Sequence, residues 1–550
     1  MNRYIQLMEK TLGAYTFEHI IKYFEQVKRE GLREHGFPRL TANIGILISY
    51  GRRTELLDTF VEMMDFCCEQ IPKVKAANDF SVKEIIFCIM ALEKSGQLLE
   101  KTQYWRECLK GIEPTKCYTV YAKKPTDKLH NWACFTAVSE YMRQYAGLCD
   151  SREFIDIQIP TQLAPFEENG MYRDPNNPMV YDLVPRGLFA ILLHFGYDGK
   201  YREQIDALLK KSGMLTMKMQ SVTGEIPFGG RSNGFLHNEA HFAIVMEYEA
   251  QRYFKAGDIK TASTFKAAAS LALDNIEYWL SKEPIRHIKN RFPTETKFGC
   301  EDYAYFDKYM ITTASFLYAA YLICNDKIPV GELDSSPRAF SLSNHFHKTF
   351  LKHGDYFLEF DTNADPHYDC NGLGRVHKKG APSTLCISTP CSAHPNIVID
   401  PGASDISLAA GYVENGRSVF AVDSSASYEV KKICTEQHCS KADIEITFDN
   451  GVKLSSTYIV SNDGVAISVI GAKENAFMLP VFVFDGENTP CVQIGNDIIT
   501  VKYEGYTCKY TTNGKISATG AIGCNRNGRY KAYQASADGE LKIFIEIYKG

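Results

Sequence analysis

The chain lacks most of the signals that place a protein in a specialised class. There is no basic run and no register of aromatics beside lysines for nucleic acid, and the net charge of −5 over 550 residues is small. An acidic substrate would therefore meet a local cluster of Arg and Lys rather than a global field. No apolar stretch reaches the length of a membrane span, and the N-terminal "MNRYIQLMEKTLGAYTF" has no continuous apolar core of the secretory kind. The 17 cysteines form no C-x-x-C repeat, and they include the adjacent Cys67 and Cys68, a pair that rarely bridges. That usage fits a reducing compartment, where thiols serve as small buried apolar groups. A cytoplasmic protein without nucleic-acid or membrane partners is expected, and a homo-oligomer is allowed. No fixed-period repeat is visible, which counts against a regular solenoid.

What the sequence does contain is a switch of periodicity. Over residues 1–330, segments such as "TFEHIIKYFEQVKREG" and "TASTFKAAASLALDNIEYWL" carry apolar residues at helical spacing. Gly- and Pro-containing breaks divide them into roughly eleven to thirteen helices. Short-linked pairs predict stacked αα-hairpins, an (α/α)6-type toroid of about six. Over residues 331–550, short alternating runs such as "DYFLEFDT", "ADIEITF" and "LKIFIEIYK" flank the hairpin turns "DNG", "NDG" and "NGK". These predict an antiparallel β-sandwich, so the fold class is multidomain, α then β.

Unusual polar residues gather at the starts of helices in the first half. "ENGMYRDPNNPMVYDLVPRG" supplies Tyr172, Arg173, Asp174, Tyr181, Asp182 and Arg186. "GGRSNGFLHNEAHF" supplies Arg231, Asn233, His237, Asn238, Glu239 and His241. "NRFPTETKFGCEDYAYFDKYM" supplies Arg291, Glu295, Glu301, Tyr303, Tyr305 and Tyr309, and "HNWACF" supplies His130, Asn131 and Trp132. Each is a loop running into a helix start, where function concentrates. His237 and His241 have the i, i+4 spacing of a zinc-protease helix, but Glu239 lies about 200° from each on a helical wheel. Its carboxylate could not polarise a water held by the histidines, so neither proteolysis nor a bound metal is expected, and no cofactor is implied. Arginines at a cavity rim suit a carboxylated ligand, which a guanidinium grips with two parallel hydrogen bonds. Paired carboxylates suit glycoside hydrolysis; Tyr and His beside a neutralised carboxylate suit proton abstraction and β-elimination.

A helical toroid followed by a large β-sandwich resembles the heparinase II/III-like polysaccharide lyases. It also resembles the glycoside hydrolases of family 154, β-glucuronidases of similar architecture. The four helix-start segments resemble toroid segments of those families, and "GLGRVHKKGAPSTLCISTPC" resembles a β-domain element reaching toward the toroid. "NADPHYDCNG", with Asp365, His367 and Asp369, only partly matches the zinc site that heparinase II-like enzymes hold. The resemblance implies either removal of a terminal glucuronic acid or eliminative cleavage of a uronate-containing chain. Without an export signal the expected substrate is a small imported saccharide, which favours exo-hydrolysis. In that reading Glu239 and Glu301 are the acid and base, tuned by His241 and Tyr305. Elimination instead employs His237, His241 and the tyrosines. In either case Arg173, Arg231 and Arg291 form the carboxylate clamp, and Asn131, Trp132, Tyr172, Asn233, Asn238, Tyr303 and Tyr309 contact the saccharide. Lys378 closes the cavity from the β-domain. A saccharide-binding protein without catalysis is the third expectation.

Overall fold

The computed structural model describes residues 2–550 except 177 and 344. Among the described residues, fourteen α-helices precede seventeen strands, and the change falls between Ile323 and Arg338. The helices are α1 (Arg3–Leu12), α2 (Phe17–Glu30), α3 (Gly36–Ser49), α4 (Leu57–Gln70), α5 (Asn78–Ser95), α6 (Leu99–Lys110) and the one-turn α7 (Pro114–Cys117). They continue as α8 (Trp132–Tyr145), α9 (Arg152–Leu163), α10 (Met179–His194), α11 (Arg202–Met219), α12 (His237–Lys255), α13 (Ile259–Leu280) and α14 (Phe306–Ile323). Helices α3, α5, α8, α10, α12 and α14 each pack on the next, and α14 closes on α3. The others cover them from outside, which makes an (α/α)6 toroid.

Burial explains which helix lies where. Outer helix α2 is amphipathic and buries Ile20, Phe24 and Val27 on one stripe. Inner helix α14 is buried without a break from Met310 to Ala320, as a helix with neighbours on all sides must be. Closure is fastened by Arg39 of α3. Its Nε and Nη2 donate to the Glu84 carboxylate of α5 at 2.6 and 2.8 Å, and its Nη1 donates to Thr312 Oγ1 of α14 at 2.8 Å. A fully buried guanidinium is tolerated only with such pairing, so it ties three inner helices together.

The first four strands, β1 (Arg338–Ser341), β2 (Lys348–His353), β3 (Tyr356–Asp361) and β4 (Gly372–Lys378), form a separate antiparallel sheet in sequence order. The remaining strands form an eight-stranded and a five-stranded sheet. Ile543, Ile545 and Tyr458 of the former share one core with Phe477, Leu479 and Val481 of the latter. The region after residue 330 is thus a sandwich plus an intervening layer. Phe350 and Phe357 of the small sheet meet Met171, Met179 and Met219 of the toroid, while Leu351, Leu358 and Phe360 join the sandwich core. Strands β2 and β3 are accordingly buried along their whole length.

Candidate active site

Contacts between successive helix starts run around the toroid. His35, before α3, lies with its ring 4.6 Å from that of Phe80 in α5, and Phe80 lies 4.7 Å from Trp132, which begins α8. Asn131 Nδ2 donates to Asp174 Oδ1, ahead of α10, at 2.7 Å. Ser232, ahead of α12, holds its Oγ 3.0 Å from the Tyr181 hydroxyl of α10 and 2.7 Å from the Tyr303 hydroxyl ahead of α14. Inner helices therefore begin at one rim. Their N-terminal ends carry partial positive charge, which favours an anionic ligand there despite the negative net charge of the chain.

Arg231 is the centre of this rim. Its Nη2 donates to the Asp174 carboxylate, its Nη1 donates to the Pro175 carbonyl at 2.8 Å, and its guanidinium lies 4.3 Å from the Tyr181 ring centroid. Asp174 is fully buried and accepts from both Arg231 and Asn131, so one carboxylate orients a cation and an amide together. Ser232 has the left-handed φ of 59°, unusual for a residue with a Cβ. That turn aims its N–H at Glu301 Oε1, which accepts at 2.9 Å, and its hydroxyl at the two tyrosines. Tyr303 and Tyr309 rings are 5.8 Å apart. Burial raises the phenol pKa of Tyr181, Tyr303 and Tyr309, so all three keep their protons at neutral pH. Half-buried His130 is held in the opposite state. Burial, then the charge of Arg231, lowers its pKa and leaves a neutral imidazole.

The β-domain completes the rim with residues that the sequence reading missed. Arg526, at the hairpin tip Asn525–Gly528, donates Nη1 to the Asn233 carbonyl and places Nη2 3.1 Å from Glu301 Oε1. Tyr368, in the loop between β3 and β4, is close enough to interact electrostatically with Arg231 and Tyr303. Thr389 Oγ1 accepts from Asn233 Nδ2 at 3.4 Å.

Several expected site residues lie elsewhere. Glu239 is fully buried; its Oε1 accepts from Lys289 Nζ at 2.5 Å, and burial raises its pKa. It leaves α12 on a different side from His237 and His241, whose rings lie against Phe316, and His237 also stacks on Tyr309 at 5.9 Å. Both histidines are buried, which lowers their pKa, that of His237 to about 3. Glu301 belongs to the Ser232–Arg526 network and Glu239 to that of Lys289, so the expected carboxyl pair is divided. Tyr305 is 62% exposed and lies beside Lys308. The Tyr172 hydroxyl is buried and donates to Gln162 Oε1 at 3.0 Å. Arg173 meets His345 at 2.8 Å, on an exposed face. Arg291 pairs with Asp485 and, at 2.5 Å, with Glu504, fastening toroid to β-domain. Lys378 folds over the Tyr356 ring at 4.7 Å. Asn238 Nδ2 donates to the Ser232 carbonyl at 3.0 Å and braces the loop from below. Asp365 and His367 pair at 2.8 Å near the surface, whereas Asp369 is buried near Lys348; among the described residues no three His, Cys, Asp or Glu side chains are grouped to hold a metal ion.

No protein-family model matches the chain, and no curated protein matches it. Several solved structures align with it at low identity. A heparan sulfate lyase mutant from Pedobacter heparinus aligns over 93% of this chain and 75% of its own, with 9% identity and a TM-score of 0.49. A heparinase III gene product aligns over 97% and 74%, with 10% identity and a TM-score of 0.47. A chondroitin AC lyase mutant from Streptomyces coelicolor A3 aligns over 99% and 83%, with 10% identity and a TM-score of 0.40.

Proposed function

We propose that the chain cleaves a uronate-containing saccharide by β-elimination at the toroid rim. The observation that carries this reading is the setting of Arg231: fixed by Asp174, it lies within electrostatic reach of an unprotonated His130 and a protonated Tyr303. Elimination needs those three functions. A cation and an amide, Arg231 and Asn131, neutralise the uronate carboxylate, which makes the hydrogen on C5 acidic. His130 takes that proton, and the electron pair left on C5 forms the C4–C5 double bond as the C4–O4 bond breaks. Tyr303 gives its proton to the departing O4, leaving one unsaturated uronate end and one free hydroxyl. Tyr309, Tyr368 and Trp132 offer ring faces to the sugars.

Exo-hydrolysis of a terminal β-glucuronic acid has weaker support. It needs two carboxyl groups facing one substrate across a gap wide enough for water or for direct attack. Glu239, buried and ion-paired, does not face the rim. The substrate in this reading is a short uronate oligosaccharide, met in the cytoplasm. The test is to incubate the protein with uronate oligosaccharides while following near-ultraviolet absorbance and product mass. Unsaturated ends that vanish in Tyr303→Phe and His130→Gln support elimination; free saturated glucuronic acid from the wild type overturns it.

A further inference from the structure

A second site is marked by a buried cation with no carboxylate at contact distance. Among the described residues, five lysines are buried: Lys83, Lys266, Lys289, Lys348 and Lys352. Four have a carboxylate at contact distance: Glu84 at 2.6 Å, Glu247 at 2.8 Å, Glu239 at 2.5 Å and Asp361 at 2.7 Å, respectively. Lys352, only 6% exposed, has none; among the described residues its one hydrogen-bond acceptor is the Asp334 carbonyl, at 3.0 Å. Arg338 lies beside it, with its side chain 10% exposed. The Asp334 carboxylate is shared out already, with Oδ2 3.2 Å from Arg338 Nη1 and Oδ1 accepting from Ser336. Burial, then Arg338, lowers the Lys352 pKa to about 8, and burial lowers that of Arg338 to about 10. A buried charge left in this state is expensive, and proteins ordinarily pair it.

Both cations line a cavity of about 480 Å³ between the toroid and the small sheet. Its walls are the ends of α11 and β4, the middle of α13, and the linker from Gly331 to Ser335. Lys379 stands exposed at the mouth. Glu332 and Asp355 are also at the mouth, exposed, so the floor is positive while the entrance is mixed. The space exceeds what a single ion needs and would hold one sugar ring carrying the anion.

We propose that this cavity binds an oxyanion (a sulfate, phosphate or carboxylate group, free or carried on a sugar) against Lys352 and Arg338, as a site separate from the toroid rim. It does not depend on the reaction assigned to that rim. The experiment is a titration of the full-length protein with sodium sulfate, inorganic phosphate and glucuronate, each against sodium chloride at matched ionic strength. Heat of binding and Tm are followed in wild type, Lys352→Met and Lys379→Ala. A saturable response to any of the three in wild type, weakened at least tenfold in Lys352→Met and several-fold in Lys379→Ala, supports the site. Which anion binds more tightly identifies the free or the sugar-borne ligand. Without added anion, Lys352→Met should match or exceed the wild-type Tm, since it removes a buried charge that has no carboxylate at contact distance. Should Lys352→Met fail to fold, the exposed Lys379→Ala carries the test alone. No saturable response in wild type, or an equal response in the variants, overturns the proposal.

Discussion

At the toroid rim, Arg231, His130, Tyr303 and Tyr309 are each half-buried. In the seam between toroid and β-domain, the charges are as dense but closed on one another. Lys289 pairs with Glu239 at 2.5 Å, Arg375 with Glu359 at 3.0 Å and Lys348 with Asp361 at 2.7 Å. Burial, which raises the Glu225 pKa, is outweighed by Lys289, His377 and Arg375, which hold that carboxyl at about 2. Two regions of similar composition thus differ in what is left over for a ligand. The rim retains donors and a neutral base, whereas in the seam Lys289, Arg375 and Lys348 each already hold a carboxylate at contact distance.

That comparison is broken most sharply by two arginines from neighbouring segments. Arg231→Ala should lower kcat/KM on a uronate substrate by about 100- to 1,000-fold, the usual scale for a preorganised electrostatic contact, and should also cost about 3 kcal/mol of stability because buried Asp174 loses its cation. Arg291→Ala should match it in stability but not in activity. Activity stays within a few-fold while stability falls by about 3 kcal/mol, because buried Asp485 loses its cation. Equal losses of activity in both variants would erase the distinction between rim and seam. Glu239→Gln sharpens it further. If Glu239 is a tie, the variant keeps its activity within a few-fold and loses about 2 kcal/mol in denaturant unfolding, since Lys289 loses its contact carboxylate. A loss of turnover with unchanged stability would return Glu239 to the chemistry.

A smaller effect comes from the layer beneath the rim. His237 has a folded-state pKa of about 3 against an ordinary value of 6.5, so the unfolded chain takes up its proton first as pH falls. Its contribution is fully present above pH 6.5 and is lost progressively between there and pH 3. Between pH 8 and pH 5 it should remove about 2 kcal/mol, a slope reduced in His237→Phe when urea unfolding is followed across that range. Tyr305→Ala should be the mildest change. An exposed tyrosine at a helix start is expected to alter activity less than twofold and stability by no more than about 0.5 kcal/mol.

The broad architecture is legible in the sequence because burial differs so much between its halves. Helical spacing reports a stripe facing inward, and strand alternation reports one face of a sheet, so the change near "DKIPVGELDSSPR" is visible. The small sheet is not legible, for a physical reason. In "KTFLKH" and "YFLEFD" the residues Lys348, Glu359 and Asp361 read as a solvent face, yet they are buried as mutual ion pairs against the toroid. The rim was partly legible. Arg231, Asn131, Tyr303 and Tyr309 stand in the quoted helix-start loops, and the ring of inner helices gathers them. Tyr305 and Arg291 sit in the same loops but on faces that residue type does not distinguish. Arg526 escaped notice because "NRNG" reads as an ordinary hairpin turn, and only its contact with Glu301 marks it.

The central claim is that the glycosidic bond opens without water. The most direct measurement is to run the reaction on a uronate oligosaccharide in water enriched in heavy oxygen and to weigh both products by mass spectrometry. The account predicts no heavy oxygen incorporated by bond cleavage, and one product end lighter than its hydrolytic counterpart by one water. A saturated uronate carrying one heavy oxygen atom per bond cleaved would contradict it.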